Sequence, residues 1–131
     1  MGGRTHRVGA VPANTFEWGS IAWLVSAALI PGADLTFGYV EIAAGGRNPR
    51  HLHPNCDEVL FLIEGVLDHE VDGRVVHLKT GTALHIPRSS PHQARNVGRD
   101  TARMVVAYST GDRETTFVDD EGSSPPPPGR E

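Results

Sequence analysis

Glycines and a proline punctuate the middle of this chain and set ionisable side chains at fixed spacing between them. The first run is Gly45-x5-His51-x-His53-x4-Glu58-x6-Gly65, and the second is Gly81-x5-Pro87-x4-His92-x3-Asn96. Gly and Pro at these intervals mark strand ends and turns. His51 and His53 are two residues apart, so a strand puts both imidazoles on one face. The turn Pro54-Asn55 then resets the chain and returns Glu58 to the same side. Three neutral imidazoles and a carboxylate suit a first-row divalent metal whose other positions stay open to a substrate. Asp57 competes for the carboxylate role, but Glu58 opens the apolar run Val59–Ile63 and is preferred.

Short strand-like runs surround these residues. They fall at 20–29, 35–43, 50–53, 57–63, 66–72, 74–78, 83–86, 91–97 and 102–109. Turn residues separate them at the spacing of an antiparallel sandwich or barrel, and no long 3.6-residue period appears. Asp72-Gly73 between two such runs predicts a type I′ hairpin. After Gly65, Leu67, His69 and Val71 share one strand face, whose apolar members mark it as interior. His69 is therefore expected to point inward and His77 outward.

The two runs resemble the two motifs of the cupin superfamily, written G-x5-H-x-H-x3-4-E-x6-G and G-x5-P-x-G-x2-H-x3-N. Every defining position matches except Ser89, which stands where the second motif has Gly. The resemblance implies an all-β fold, the antiparallel double-stranded β-helix or jelly-roll barrel. It also implies one divalent metal ion per chain (Fe, Mn, Ni or Zn), held by His51, His53, Glu58 and His92. Metal binding at such a site is expected to stabilise the fold. N-terminal strands of cupins often pack on a second subunit, so Trp18, Ile21, Trp23 and Val25 imply a homodimer. The alternative is that both Trp close the barrel's own end.

Composition bounds the partners. The chain has 131 residues, a net charge of −4 and no basic stripe. A single domain is expected, with no nucleic-acid or membrane partner. The segment Ile21–Ile30 is too short to span a bilayer. No secretory leader is evident, so the expected compartment is the cytoplasm. A lone Cys56 excludes an internal disulfide; it reads as a small turn residue or as a thiol near the metal. Residues 1–13 read as a flexible lead, 14–118 as the single cupin barrel and 119–131 as an acidic, Pro-rich disordered tail.

His69 and His85 are the catalytic candidates, as general acid or base. His85 lies in Ala83-Leu84-His85-Ile86-Pro87, where relatives often carry an aromatic near the cavity. Leu60, Leu62, Leu67, Val71, Ile86 and Val105 are expected to line much of the cavity. Arg and Lys are scarce among inward positions, which favours a small, mostly apolar substrate, aromatic or polyketide-like. Arg88 and Arg95 flank the second motif as candidates for a carboxylate at the mouth. The implied function is a metal-dependent enzyme. It acts by dioxygenase-type oxidation or by metal-assisted proton chemistry, as a cyclase, isomerase or decarboxylase. The alternative is a non-catalytic small-molecule-binding cupin.

Overall fold

Alternating apolar residues in short runs can bury one face only by pairing into sheets. The computed structural model describes residues 2–118 and shows such pairing throughout. Its strands are β1 (Ala13–Phe16), β2 (Gly19–Val25), β3 (Thr36–Ile42), β4 (His51–Leu52), β5 (Glu58–Glu64) and β6 (Val66–Val71). They continue with β7 (Arg74–Lys79), β8 (Ala83–Ile86), β9 (His92–Asn96), β10 (Ala102–Tyr108) and β11 (Thr116–Phe117). A six-stranded sheet runs β1-β2-β3-β10-β5-β8 and a five-stranded sheet runs β11-β4-β9-β6-β7. Every pairing is antiparallel. This is the expected cupin jelly-roll barrel. No helix among the described residues is long and apolar enough to cross a membrane.

The core lies where the inward faces of the two sheets meet. Leu60, Leu62, Met104 and Val106 come from the six-stranded sheet, and Leu67, Leu78 and Ala94 from the other. Burying one such side chain contributes about 1.5–3 kcal/mol. Asn96, the last residue of the second run, ties the sheets together. Its buried Nδ2 donates to the carbonyls of Ile42 and Asp100, at 2.8 and 2.9 Å. Gly98 N in turn donates to its Oδ1.

Turn chemistry sets the register. Asp72 and Gly73 have φ of 52° and 81°, the left-handed pair of a type I′ hairpin joining β6 to β7. Ser89 has φ of 67°, so it takes the left-handed conformation for which the motif usually supplies Gly. The strain is compatible with its site, because Ser89 N donates to the His53 carbonyl at 2.9 Å.

Several expectations need correction. The run expected as a strand over 20–29 ends at Val25. Ile30 N donates to Ser26 O, and Leu29 N donates to Ser26 Oγ, so residues 26–30 form a turn. Val105 faces away from the core, because Met104 and Val106 on either side of it are the buried members of β10. The aromatics of the N-terminal strands are half-buried within the subunit. Phe16 and Trp18 stack at 4.9 Å, Trp23 lies 6.0 Å from Tyr108, and both Trp pack on the core. The first strand starts at Ala13, the last residue of the expected lead. The tail over 119–131 lies outside the described residues.

Candidate metal centre

Three strand starts converge at one end of the barrel. His51 opens β4, Glu58 opens β5 and His92 opens β9, while His53 follows β4 before the Pro54-Asn55 turn. All four are buried, at 5%, 5%, 2% and 2% exposure for His51, Glu58, His92 and His53. Burying this many ionisable groups costs free energy unless they are partnered.

The imidazoles are oriented from behind. Nδ1 of His51 donates to Pro49 O at 2.7 Å, that of His53 to Glu114 O at 2.9 Å and that of His92 to Ser90 O at 2.8 Å. A ring that donates from Nδ1 while neutral presents its Nε2 lone pair forward. One ligand atom from each of these His lies within 4.8 Å of the others. Glu58 Oε1 reaches His53 Nε2 at 3.4 Å and His92 Nε2 at 3.2 Å. Even so, His53 Nε2, His92 Nε2 and Glu58 Oε1 are buried with no aligned hydrogen bond to satisfy them. Buried polar atoms aimed at one point without a donor among them are what a cation completes. The residues therefore fit the divalent metal, with the three His as the tight set and Glu58 beside two of them.

In the metal-free protein these groups set one another's charge. Burial would raise the Glu58 carboxyl, but the imidazoles of His53 and His92 outweigh it and hold the group well below its ordinary range. Burial pulls His92 down, and the Glu58 carboxylate more than compensates, leaving it raised. His51 is pushed well down by burial, then by His92 and His53, so it stays neutral and ready to ligate. Burial and then His92 lower His69 to about 4.

His69 sits as its strand parity predicts. It is 2% exposed, its ring lies 5.7 Å from that of His92, and its Nδ1 has no partner. It lines a chamber of about 30 Å³ together with His51, His92, Glu58, Leu60 and Tyr108. That volume admits little more than a water or two. Among the described residues, no Lys or Arg lines it.

His85 is placed elsewhere. Leu84 and Ile86 are the more buried members of β8, so His85 between them projects outward. Its side chain is 58% exposed, and Nε2 lies 3.1 Å from Asp57 Oδ2. Asp57 also accepts from the Arg88 backbone N and side-chain Nε, at 3.1 and 3.4 Å. His85 and then Arg88 hold its carboxyl below its ordinary value. Asp57, His85 and Arg88 thus form an outer cluster, and Arg88 is spent on it. Arg95 faces outward across from Asp68. Cys56 is buried outside the histidine cluster, and burial, then Glu58, push its thiol up.

Two features escape a reading by motif. Tyr108 lines the chamber with its ring 5.0 Å from His53. Burial, then the Glu58 charge, raise its phenol well above the ordinary value, so it stays protonated. The only sequence trace was a lone hydroxyl-bearing aromatic at the end of an apolar run. The second is a strap over 109–115. Asn55 Nδ2 donates to Asp112 O and Glu114 N donates to Asn55 Oδ1, both at 2.9 Å, so the strap holds His53 through Glu114 O.

Comparison with known proteins places this geometry. A polyketide synthase protein of Streptomyces glaucescens, TcmJ, is 31% identical over 117 residues, covering 84% of this chain and 78% of its own. Polyketide synthase CurC of Streptomyces cyaneus is 30% identical over 96 residues, covering 73% and 62%. Oxalate oxidase GF-2.8 of Triticum aestivum is 34% identical over 101 residues, covering 68% and 44%. The chain thus spans less than two thirds of the latter two. Among solved structures, Lactobacillus farciminis oxalate decarboxylase in its formate complex superposes with a TM-score of 0.79. It is 19% identical, with 86% of this chain and 35% of that chain covered, so it shows the fold alone. The cupin domain model matches residues 38–108, the span that contains the whole histidine cluster. The chain belongs to the cupin family.

Proposed function

We propose that this protein is a metal-dependent cupin enzyme that performs redox-silent proton chemistry on a small, mostly apolar molecule bearing neighbouring carbonyls, in the manner of a polyketide cyclase. The observation that carries this reading is His69, a buried neutral imidazole with an unpartnered Nδ1 on the chamber wall beside His92. The similarity to two polyketide synthase proteins supports the substrate class. His51, His53, His92 and Glu58 would hold the ion. When bound, a divalent metal supplies Lewis-acid polarisation of a carbonyl oxygen and stabilises the enolate it becomes.

The chain's own groups do the rest. His69 takes the proton from the carbon between two carbonyls at Nδ1 and returns it to the oxygen of the new alcohol. Tyr108 keeps its phenolic proton and offers it as a hydrogen bond. Leu60, Met104 and Val106 exclude water from the chamber. The lack of a chamber Lys or Arg disfavours a dianion held by the protein alone.

A second reading is oxidation of a small acid with dioxygen. It is favoured by the 34% identity to oxalate oxidase and by the small chamber. One experiment separates the two. Metal-loaded protein is given a 1,3-dicarbonyl aryl ketone, with product mass and dissolved oxygen followed together. An isomeric or dehydrated product without oxygen uptake supports proton chemistry. Stoichiometric oxygen uptake supports oxidation, and unchanged ligand mass after long incubation supports a binding protein.

The homodimer in this reading uses the outer face of the six-stranded sheet. Val59, Phe61 and Ile63 on β5 are 43%, 41% and 43% exposed and line one side of that strand. Light scattering of Phe61→Lys tests it, a monomer being the expected result.

A further inference from the structure

A cleft of about 380 Å³ opens at the mouth of the barrel, beyond the metal chamber. Its volume is that of a small-molecule site, whereas the chamber holds only about 30 Å³. Trp23 is a wall of both. The remaining walls are mainly apolar, with Pro12 ahead of β1 and Ala28 and Leu29 on the 26–30 turn. Asp112 also lines the cleft but is exposed, so its charge is solvated.

Arg113 supplies the inward cation. Its guanidinium carbon lies 4.0 Å from the Trp23 ring centroid and 5.4 Å from that of Tyr108. Nη1 donates to Thr115 Oγ1 at 3.4 Å, while Nε is buried without a hydrogen-bond partner. A donor held out of water with no acceptor is costly to the fold. Arg113 also lines the cleft, and a guanidinium there suits a planar oxyanion. The fork is also pre-positioned. Ala27 N donates to Gly111 O at 2.8 Å, and Gly111 packs so close that a Cβ there would lie 1.9 Å from Ala33 O. The same strap orients His53.

We infer that this cleft is a second, substrate-seating site for a planar aromatic group that bears a carboxylate or an acidic phenol. The ring lies beside Trp23, the oxyanion takes the Arg113 fork, and the part to be converted reaches the chamber past Trp23. Passage from the cleft to the chamber rests on the enzyme reading proposed above. Binding in the cleft needs neither turnover nor metal.

Isothermal titration calorimetry of the full chain with 3-hydroxy-2-naphthoate and with neutral 2-naphthol tests the inference. Wild type should bind the naphthoate about tenfold or more tightly than the naphthol, the size of one charge-assisted contact. Arg113→Met should weaken the naphthoate by a similar factor and change the naphthol less than about threefold. Ala28→Phe, at an exposed turn position, should weaken both. Chelation of the metal should change neither. Equal affinity for the two probes, no binding by wild type, or loss of binding on chelation would overturn the proposal. Should Arg113→Met fail to fold by circular dichroism, the probe ratio in wild type and Ala28→Phe still decide it. Probe binding without turnover counts against the enzyme reading alone, and turnover without probe binding counts against the cleft alone.

Discussion

Asp57 and Glu58 are neighbours in the chain, yet they belong to two different chemistries. Glu58 points into the barrel, is 5% exposed and meets His53 and His92. Asp57 points out and meets His85 and Arg88 in water. Each cluster joins a carboxylate to histidine at similar distances, 3.2–3.4 Å inside and 3.1 Å outside. The difference is the medium. Inside, the histidine Nδ1 atoms are committed to backbone carbonyls, and three buried atoms lack aligned partners. Outside, water satisfies whatever the pair leaves over, and an exposed ion pair is worth at most about 1 kcal/mol. Residue type alone does not make a site. Strand parity decides which of two adjacent carboxylates lies where a cation would complete the cluster.

The comparison predicts unequal effects of matched substitutions. The largest is expected for His51→Ala or His92→Ala, which should abolish stoichiometric metal binding. They should also remove the metal's contribution to stability, about 2.7 kcal/mol when the free metal is a hundredfold above Kd. Elemental analysis and melting with and without chelator check this. Next, His69→Gln should keep metal and fold but lower kcat about 10²-fold or more, as loss of a general base does. A steady-state assay at fixed metal content reads it.

The third effect is a pH dependence of metal-free stability. The folded pKa of His69, about 4, lies below its unfolded value of 6.5. The unfolded chain therefore binds more protons between these values, and stability falls as pH drops from about 6.5 to about 4. The loss is on the order of 3 kcal/mol for this group. Denaturant titrations of wild type and His69→Gln across that window should show a shallower slope for the variant. The smallest effect belongs to the outer cluster. Asp57→Asn and His85→Ala should leave stability and metal content almost unchanged, because solvent screens an exposed pair. A metal loss in either would erase the distinction between the clusters.

Much of this was legible in the chain. Three of the four inner residues open strands and His53 follows one, all bracketed by Gly45, Gly65, Gly81 and Pro87, so their spacing exposed both fold and cluster. The parity of Leu67 and Val71 placed His69 inward, and Asp72-Gly73 revealed its hairpin. His85 misled because its run, Ala83 to Ile86, is apolar on both sides and conceals its phase. Only pairing with β5, where Val59 lies opposite His85, fixes it outward. Val105 was ambiguous for the same reason. β1 and β11 are too short to carry a period, and β11 forms only by pairing with β4. Tyr108 and Arg113 stand outside both motifs. Their place depends on how β10 and the strap close the barrel mouth, a long-range outcome that local spacing does not encode.

On the proposed function, the inner cluster holds a metal and the outer one does not. Elemental analysis of the protein purified without added metal or chelator tests this most directly, with His92→Ala and His85→Ala in parallel. The account predicts about one divalent ion per chain in wild type and in His85→Ala, and almost none in His92→Ala. No metal in wild type even after titration, or full metal in His92→Ala, would contradict it.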